Sequence, residues 1–250
     1  MTPISTLYTQ FSLPLRPGQI PAFRGAVAEA AGWEQDLFHN HARTEVVPAP
    51  QPVAEGPSTE PEEAPPVTLK DQFVYRYPRI QYRVRDGKAV IWAIGEGVPA
   101  LRRWLMEKED QILIGGRKRP LLIEQLREGS HQLRLLPKKR LYRLMDYQPF
   151  NGENYREWQQ AEHLIARIQL IERILTGNLL NIAKVAGVFV EERIEAQLMN
   201  LRDTKTVRTH GTQRLAFNLI FQTNLDLPPS VALGRAVSHG FGVCERVAGS

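Results

Sequence analysis

Apolar and polar residues alternate in several stretches of the first half of the chain, and this period of two predicts β-strands. The alternation is present in residues 5–13 and is most regular in residues 72–84. Asp86-Gly87 is typical of a hairpin turn, so residues 89–94 are predicted to be the return strand. Residues 111–114 are predicted to be a further, shorter strand.

Two segments between these strands carry apolar residues at helical spacing instead. In residues 19–31, Ile20, Phe23 and Val27 fall on one face of a helix, and a second helix is predicted over residues 98–108. The first 115 residues therefore run strand, helix, strand, strand, helix, strand. That order is typical of a ferredoxin-like unit, a four-stranded antiparallel sheet with two helices on one face.

The second half is less regular but contains the same kinds of element. A long helix is predicted from about residue 154, with Gly177 ending or kinking it, and residues 215–222 alternate as a half-buried strand. A last strand is predicted at residues 240–244. These elements are compatible with a second, modified ferredoxin-like unit.

We therefore predict an α+β protein of two tandem ferredoxin-like (RRM-like) domains, with antiparallel sheets and helices on one face. The N-terminal domain is expected to comprise residues 1–120 and the C-terminal domain residues 121–250. Residues 47–66 contain seven prolines and no aromatic residue, so they cannot bury a core. We expect this segment to be a disordered insertion within the first domain, because the strand pattern resumes directly after it.

Charge is unevenly distributed along the chain, which has a formal net charge of +5 and a pI of about 9.4. Twelve Lys or Arg residues and five Asp or Glu residues lie in residues 101–145, whereas residues 44–66 hold five acids and no base. This segregation favours an oriented basic surface and a polyanionic partner.

Several classes of protein are disfavoured by composition. The sequence has no apolar run of about 18 residues, the length at which a membrane-spanning helix becomes a candidate. The first residues lack the basic start and apolar run of a signal peptide, so a cytoplasmic location is expected. Cys244 is the sole cysteine, which excludes an intrachain disulfide and a cysteine-based metal site.

His39 and His41 are the most notable candidates for chemistry. On a strand or extended turn, their spacing of two would point both rings to the same face. Such a pair can bind a metal ion, share acid and base work near neutral pH, or simply form polar surface. A metal ion needs a third ligand, and no suitable His or acidic cluster stands out near the basic segments. Metal binding is therefore less favoured than acid–base catalysis as a function for the pair.

Two histidines can catalyse the cleavage of RNA without a metal ion. One base removes the proton of a ribose 2′-hydroxyl, whose oxygen attacks the adjacent phosphate, and an acid protonates the leaving 5′-oxygen. Nearby tyrosines or lysines can stabilise the charged transition state. The requirement for a 2′-hydroxyl would make such an enzyme specific for RNA.

Two kinds of segment are candidates for binding RNA. Two basic triplets can track phosphates or can be ordinary solvated charge: Arg117, Lys118, Arg119 and Lys138, Lys139, Arg140. The glycine-rich loop of residues 234–242 can present backbone N–H groups to a phosphate, or its glycines can simply form turns. Its candidate residues are Gly234, Arg235, Gly240 and Gly242.

Taken together, these segments resemble the CRISPR repeat-processing endoribonucleases, in the branch found in methanogens and Bacteroidetes-like bacteria. The resemblance lies in residues 20–26, 37–41, 75–82 and 94–97 and in the glycines of the C-terminal loop. Two departures are the length of the 47–66 insertion and Ala232, which occupies a position where the fuller family pattern has glycine.

The resemblance implies metal-independent cleavage of CRISPR repeat RNA, with 2′,3′-cyclic phosphate and 5′-hydroxyl products, to release guide RNAs from precursor crRNA. The family's catalytic histidines would fall on His39 and His41, and a catalytic or phosphate-contacting tyrosine on Tyr75 or Tyr77. No metal or other cofactor is implied. Expected partners are repeat RNA and, in addition, other CRISPR effector subunits, and both a monomer and a homodimer are compatible with the sequence.

Two rival functions remain. A relative that holds guide RNA without cutting it would also explain the basic surface. A metal-dependent hydrolase would use His39 and His41 as ligands, and its activity would stop in excess chelator.

Overall fold

The computed structural model describes residues 3–32, 35–39, 41–46, 68–73, 77–188, 192–209 and 211–248, with the backbone alone for residues 39, 41–46 and 68–73. The strands within these ranges are β1 (Ile4–Pro14), β2 (His41–Val46), β3 (Thr68–Phe73), β4 (Ile80–Arg85), β5 (Lys88–Ile94), β6 (Gln111–Ile114), β7 (Arg117–Pro120), β8 (Ile123–His131), β9 (Leu135–Tyr147), β10 (Ala196–Thr209), β11 (Thr212–Leu225) and β12 (Val243–Arg246). The helices are α1 (Ile20–Ala31), α2 (Asp36–His39), α3 (Gly97–Glu107), α4 (Gly152–Gln160) and α5 (Leu164–Val185).

The first sheet is antiparallel and has the strand order β4-β5-β1-β8. Alternation along its strands sends one set of side chains toward α1 and α3, where Phe11, Phe23 and Leu101 are fully buried. The predicted hairpin turn is present, because Asp86 and Gly87 both have positive φ and join β4 to β5.

The fourth strand of this sheet differs from the predicted one. Residues 111–114 form β6, which pairs with β7 in a separate hairpin, and β8 takes the place beside β1 instead. The side chain of Ile112 is buried in the core on the helix side of the sheet, next to α1, which draws β6 away from the sheet. The first sheet therefore continues to His131, past the domain boundary predicted at residue 120.

The second sheet is also antiparallel and has the order β10-β11-β9-β12. One face is covered by α5, whose buried stripe includes Leu175, Leu179 and Ile182. This helix runs through Gly177, so the predicted helix end there is wrong. The cost of about 1 kcal/mol for a helical glycine is small beside the burial of the flanking leucines.

The two halves meet at the face of the first sheet that lies opposite α1 and α3. At one end of that face, Trp92 and Ile94 join the core of the second half. Arg79 reinforces the junction, because its Nη1 donates to the carbonyl of Val185 at the C-terminal end of α5, over 2.8 Å. This arrangement confirms the predicted fold class of two antiparallel sheets with helices.

Among the described residues, no helix is both long enough and apolar enough to cross a bilayer.

Candidate functional site

The histidine pair lies at a junction between a helix and a strand. The backbone of His39 ends the one-turn helix α2, and the backbone of His41 begins β2, opposite Phe73. The two residues therefore do not share a strand, and the argument that a strand points both rings to one face does not apply. Their side chains and Asn40 lie outside the described part of the chain.

The residue before His39 is firmly anchored in the first domain. Phe38 is buried, and its ring centroid lies 6.0 Å from that of Trp104 on α3. The hydroxyl of Tyr82 on β4 donates to the carbonyl oxygen of Phe38 over 3.1 Å. Burial raises the pKa of Tyr82, so this hydroxyl keeps its proton and remains a donor at neutral pH. The histidine junction is thus held on the helix-covered side of the first sheet.

Of the two candidate tyrosines, Tyr75 lies outside the described residues and Tyr77 occupies the contact between the two halves. The buried Tyr77 hydroxyl donates to the carbonyl of Ala232 over 2.9 Å and accepts from Nε2 of Gln81 over 2.8 Å. Burial raises the pKa of Tyr77 to about 12. A hydroxyl held in this way is suited to joining the two halves, and it is poorly placed to exchange protons with RNA.

The two basic triplets differ in how much of their charge is compensated. Arg117, Lys118 and Arg119 form the exposed strand β7, and no ion pair involves them among the described residues. In the second triplet, Lys139 lies 2.5 Å from Glu195, and Arg140 pairs with Asp226. Of that triplet, Lys138 is the exposed cation at the surface. The first triplet therefore offers more charge to a polyanion.

The glycine-rich loop is packed against the protein itself. Gly234 and Gly242 have positive φ, and a Cβ on Gly242 would lie 1.9 Å from the carbonyl oxygen of Leu233. The N–H groups of Arg235, Gly240 and Gly242 already donate to protein carbonyls, over 3.0, 3.3 and 3.2 Å. The glycines are thus required by the packing of the loop, and this use of the N–H groups argues against the expected phosphate cradle.

A cleft with a cavity volume of about 670 Å³ lies beside this loop, between the two halves of the chain. It opens where the first sheet's face opposite α1 and α3 becomes polar. The residues that give it its chemistry are Tyr8, Arg83, Arg85, Arg208, His239 and Phe241. Sequence reasoning missed this site, although the alternation of Arg83 and Arg85 in β4 was a usable signal.

Arg83 is the buried cation of the cleft, with 6% of its surface exposed. Its Nη1 donates to the carbonyl of Ser230 over 2.5 Å, Nη2 donates to Gln81, and the guanidinium lies 4.9 Å from the ring centre of Trp92. Burial lowers the pKa of Arg83 to about 10, so it stays charged at neutral pH. Its Nε is buried and has no hydrogen-bond partner in the described structure, so Arg83 contributes positive charge to the cleft rather than an exposed donor.

His239 adds a second polar group to this cleft. Nε2 of its ring lies 3.2 Å from Nη1 of Arg24 on α1, and Nδ1 lies 3.4 Å from the hydroxyl of Ser238. Because a guanidinium can only donate, Nε2 accepts and the ring proton resides on Nδ1. The positive charge of the cleft is carried by Arg83, Arg85 and Arg208, and the carboxylates of Asp146 and Glu245 also line it.

The fold is that of a tandem ferredoxin-like protein, and arginines line a cleft between its two halves. The chain belongs to the Cas6b family: residues 68–132 match the Cas6b N-terminal domain, and residues 135–247 match the Cas6b C-terminal domain. The resemblance to CRISPR repeat-processing endoribonucleases predicted from the sequence is confirmed at the level of the family.

Similar proteins agree with this assignment. The uncharacterised protein MJ0978 of Methanocaldococcus jannaschii is 34% identical over 97 residues, or 39% of this chain, and the match spans 65% of that relative, less than two thirds of its length. A crystal structure of Cas6b has a TM-score of 0.77 at 21% identity, with 98% of this chain and 100% of that chain covered. A structure of the CRISPR RNA processing endoribonuclease Cas6b has a TM-score of 0.68 at 19% identity, with the same coverage.

Proposed function

We propose that this protein is an endoribonuclease that cuts CRISPR repeat RNA and so releases guide RNAs from precursor crRNA. The observation that carries the proposal is the match to both Cas6b domains, which together extend over most of residues 68–247. The cationic cleft and the exposed β7 triplet provide a surface for the polyanionic substrate. Other CRISPR effector subunits are further proposed partners.

The proposed chemistry is metal-independent and uses His39 and His41 as acid and base. One imidazole removes the proton of the 2′-hydroxyl at the cut, whose oxygen forms a new bond to the adjacent phosphorus. The bond from phosphorus to the 5′-oxygen breaks, and the other imidazole supplies the proton that this leaving oxygen takes up. The products are a 2′,3′-cyclic phosphate and a 5′-hydroxyl end. A neutral and a charged imidazole coexist near neutral pH, which suits this pairing.

A 2′-deoxy substitution tests the chemistry directly. Repeat RNA that lacks only the hydroxyl at the cut site should still bind but yield no product, because the attacking oxygen has been removed. The matched control places the same substitution one nucleotide away, where cleavage should persist. Continued cutting at the substituted site would exclude 2′-hydroxyl attack.

A second candidate function is guide-RNA binding without cleavage, and one observation favours it. The cleft's Arg83 lies on the opposite face of the first sheet from the histidine junction, since the adjacent residues Tyr82 and Arg83 point to the two sides, and the cleft continues round β4 to Ile20 at the start of α1. Binding in the cleft therefore does not depend on the histidines. A tight complex with intact repeat RNA that never yields a cut would establish this alternative.

A further inference from the structure

The face of the first sheet opposite α1 and α3 carries an aromatic pair on its two central strands. The order β4-β5-β1-β8 places β1 and β5 in the middle, and Tyr8 on β1 lies directly opposite Trp92 on β5. Directly opposite residues of an antiparallel pair point to the same face of the sheet. RNA recognition motifs bind unpaired RNA by stacking its bases on aromatic residues of a four-stranded sheet. The position of this pair therefore points to base stacking.

Within the pair, Tyr8 is the more accessible ring. Trp92 is 2% exposed, because it joins the core of the second half, and the guanidinium of Arg83 lies 4.9 Å from its ring centre. Tyr8 is half-buried and lines the cleft between the two halves. Its hydroxyl donates to Oε1 of Gln10, the next residue of β1 on this face, over 2.9 Å. This bond fixes the position of the Tyr8 ring in the cleft.

The lining of the cleft suits a nucleotide better than a phosphate alone. Beside its arginines the cleft contains aromatic and apolar side chains, which a base uses and a phosphate does not: Tyr8, Ile20, Val84, Phe241 and Val243. Its volume of about 670 Å³ lies in the range of about 300–1,000 Å³ in which small organic ligands bind. A base with its ribose therefore fits.

Arg127 provides a cation next to the Tyr8 ring. It lies opposite Tyr8 on β8, and its guanidinium carbon is 5.7 Å from the ring centre. Arg127 is exposed, and no ion pair involves it among the described residues. The charged groups that act on the Tyr8 hydroxyl are three guanidiniums and one carboxylate: Arg83, Arg85, Arg127 and Asp86. The surroundings of the ring are therefore positive, which favours the phosphates that flank a base.

Both carboxylates that line the cleft already face a cation. Oε1 of Glu245 lies 4.0 Å from Nη1 of Arg85, and Oδ1 of Asp146 lies 2.5 Å from Nζ of Lys205. The arginines of the cleft that have no ion pair within the described ranges are Arg83 and Arg208. The cleft as a whole therefore keeps an excess of positive charge.

We propose that Tyr8 stacks on one base of an unpaired segment of the RNA, while Arg127 contacts a neighbouring phosphate. The site accepts any base, since every base has a flat π-face. The assignment rests on the proposed function, because it takes RNA as the ligand of the cleft. Tyr8 and the histidine junction lie on opposite faces of the first sheet. The contact therefore anchors the RNA away from the bond that is cut, and the cleavage rate at saturating RNA does not depend on it.

Variants of Tyr8 separate the ring from its hydroxyl. Affinity would be measured for repeat RNA with a 2′-deoxy cut site and for polyuridine of the same length. Y8F keeps the ring and should bind both RNAs within about twofold of the wild type. Y8L should bind both on the order of tenfold more weakly, the effect of one lost base stack. Y155L is the matched control and should bind like the wild type, because Tyr155 is an exposed tyrosine on α4 that does not line the cleft.

The salt dependence of binding separates base stacking from phosphate contact. Y8L should keep the wild-type slope of log affinity against log salt concentration, because it removes no charge. R127Q should lower the magnitude of the slope by about 0.7, the value for one phosphate contact with a single strand. R102Q should leave the slope unchanged, because Arg102 already lies 2.9 Å from Glu128.

Abasic substitutions, made one nucleotide at a time, locate the stacked base in the repeat RNA. One position in an unpaired segment should cost the wild type on the order of tenfold in affinity and cost Y8L nothing further, since its stacking partner is already gone. Urea unfolding would check that Y8L is folded, and Y8M is a second variant without a ring. Equal losses for Y8F and Y8L, or additive losses at every abasic position, would overturn the assignment.

The two RNAs distinguish failure of this site from failure of the proposed function. Cleavage of repeat RNA by the wild type, together with wild-type binding of both RNAs by Y8L, would reject the stacking site and leave the proposed function intact. A repeat that the wild type never cuts, together with binding of polyuridine that Y8L weakens and Y8F does not, would reject cleavage and support the stacking site.

Discussion

At the scale of single residues, the histidines proposed for catalysis are distinct from the residues that stabilise the fold. His39 and His41 lie at a junction that Tyr82 and Phe38 anchor to the helix side of the first sheet. Tyr77, by contrast, is committed to Ala232 and Gln81 at the contact between the two halves. Substitution of these residues should therefore have different consequences for cleavage, binding and stability.

We expect H39A and H41A each to slow cleavage by a factor on the order of 10² or more, because each removes an acid or a base. Binding should be retained, since the arginines that line the cleft, Arg83, Arg85 and Arg208, are left unchanged. Single-turnover rates and equilibrium binding to repeat RNA measure the two effects separately. An equal loss of rate and affinity would assign the histidines a structural role instead.

Tyr77→Phe should destabilise the protein by about 1–3 kcal/mol, because it leaves buried partners in Ala232 and Gln81 unsatisfied. Its cleavage rate at saturating RNA should match that of the wild type. Urea unfolding and single-turnover kinetics are the two measurements, with Tyr75→Phe as the comparison. A normal stability combined with a large loss of rate would show that Tyr77 takes part in the reaction.

At the scale of elements, alternation and helical spacing predicted β1, α1, β5 and α3 close to their observed bounds. The strand predicted over residues 72–84 is wrong in its first part, because β4 begins at Ile80 and Gln72 and Phe73 belong to β3, which pairs with β2. The choice of β8 over residues 111–114 as the sheet partner of β1 could not be predicted in this way. Both segments have strand character, and the pairing depends on tertiary packing of Ile112 against α1. The continuation of α5 through Gly177 has the same kind of cause, since burial of its neighbours outweighs local propensity.

Two glycines should respond in opposite ways to substitution by alanine. Gly242→Ala should destabilise the protein by more than about 1 kcal/mol, because φ is +68° and the new Cβ would meet the carbonyl of Leu233. Gly177→Ala should stabilise it by about 0.5–1 kcal/mol, since that position is helical and open. Chemical unfolding of both variants provides the comparison. A neutral Gly242→Ala would mean that the loop is not packed as described.

At the scale of the whole molecule, two halves of the same general fold enclose a cleft that runs from one face of the first sheet round β4 to the start of α1, and the histidine junction lies on the helix-covered side. Residues that are far apart in the sequence, such as Tyr8, Arg83 and Arg208, line this cleft together. No local pattern connects such residues, so the sequence predicted a basic protein and an RNA partner without locating the cleft. For the 138–140 triplet, the excess of positive charge was visible in the sequence, but the acidic residues that pair with Lys139 and Arg140 were not.

Arg208→Gln should weaken binding to repeat RNA and lower the magnitude of the salt slope by about 0.7, as expected for loss of one phosphate contact. Arg173→Gln is the matched control, because Arg173 is an exposed arginine that pairs with Glu157 away from the cleft. Affinity measured across salt concentrations distinguishes the two variants. Equal behaviour of both would mean that RNA does not enter the cleft.

The central claim is metal-independent cleavage of CRISPR repeat RNA, and one measurement tests it most directly. The protein would be incubated with the CRISPR repeat RNA of its own genome in excess EDTA, and the product ends would be analysed. The account predicts one cut within the repeat, with a 2′,3′-cyclic phosphate on one product and a 5′-hydroxyl on the other. Cleavage that stops in EDTA, or that leaves other ends, would contradict it.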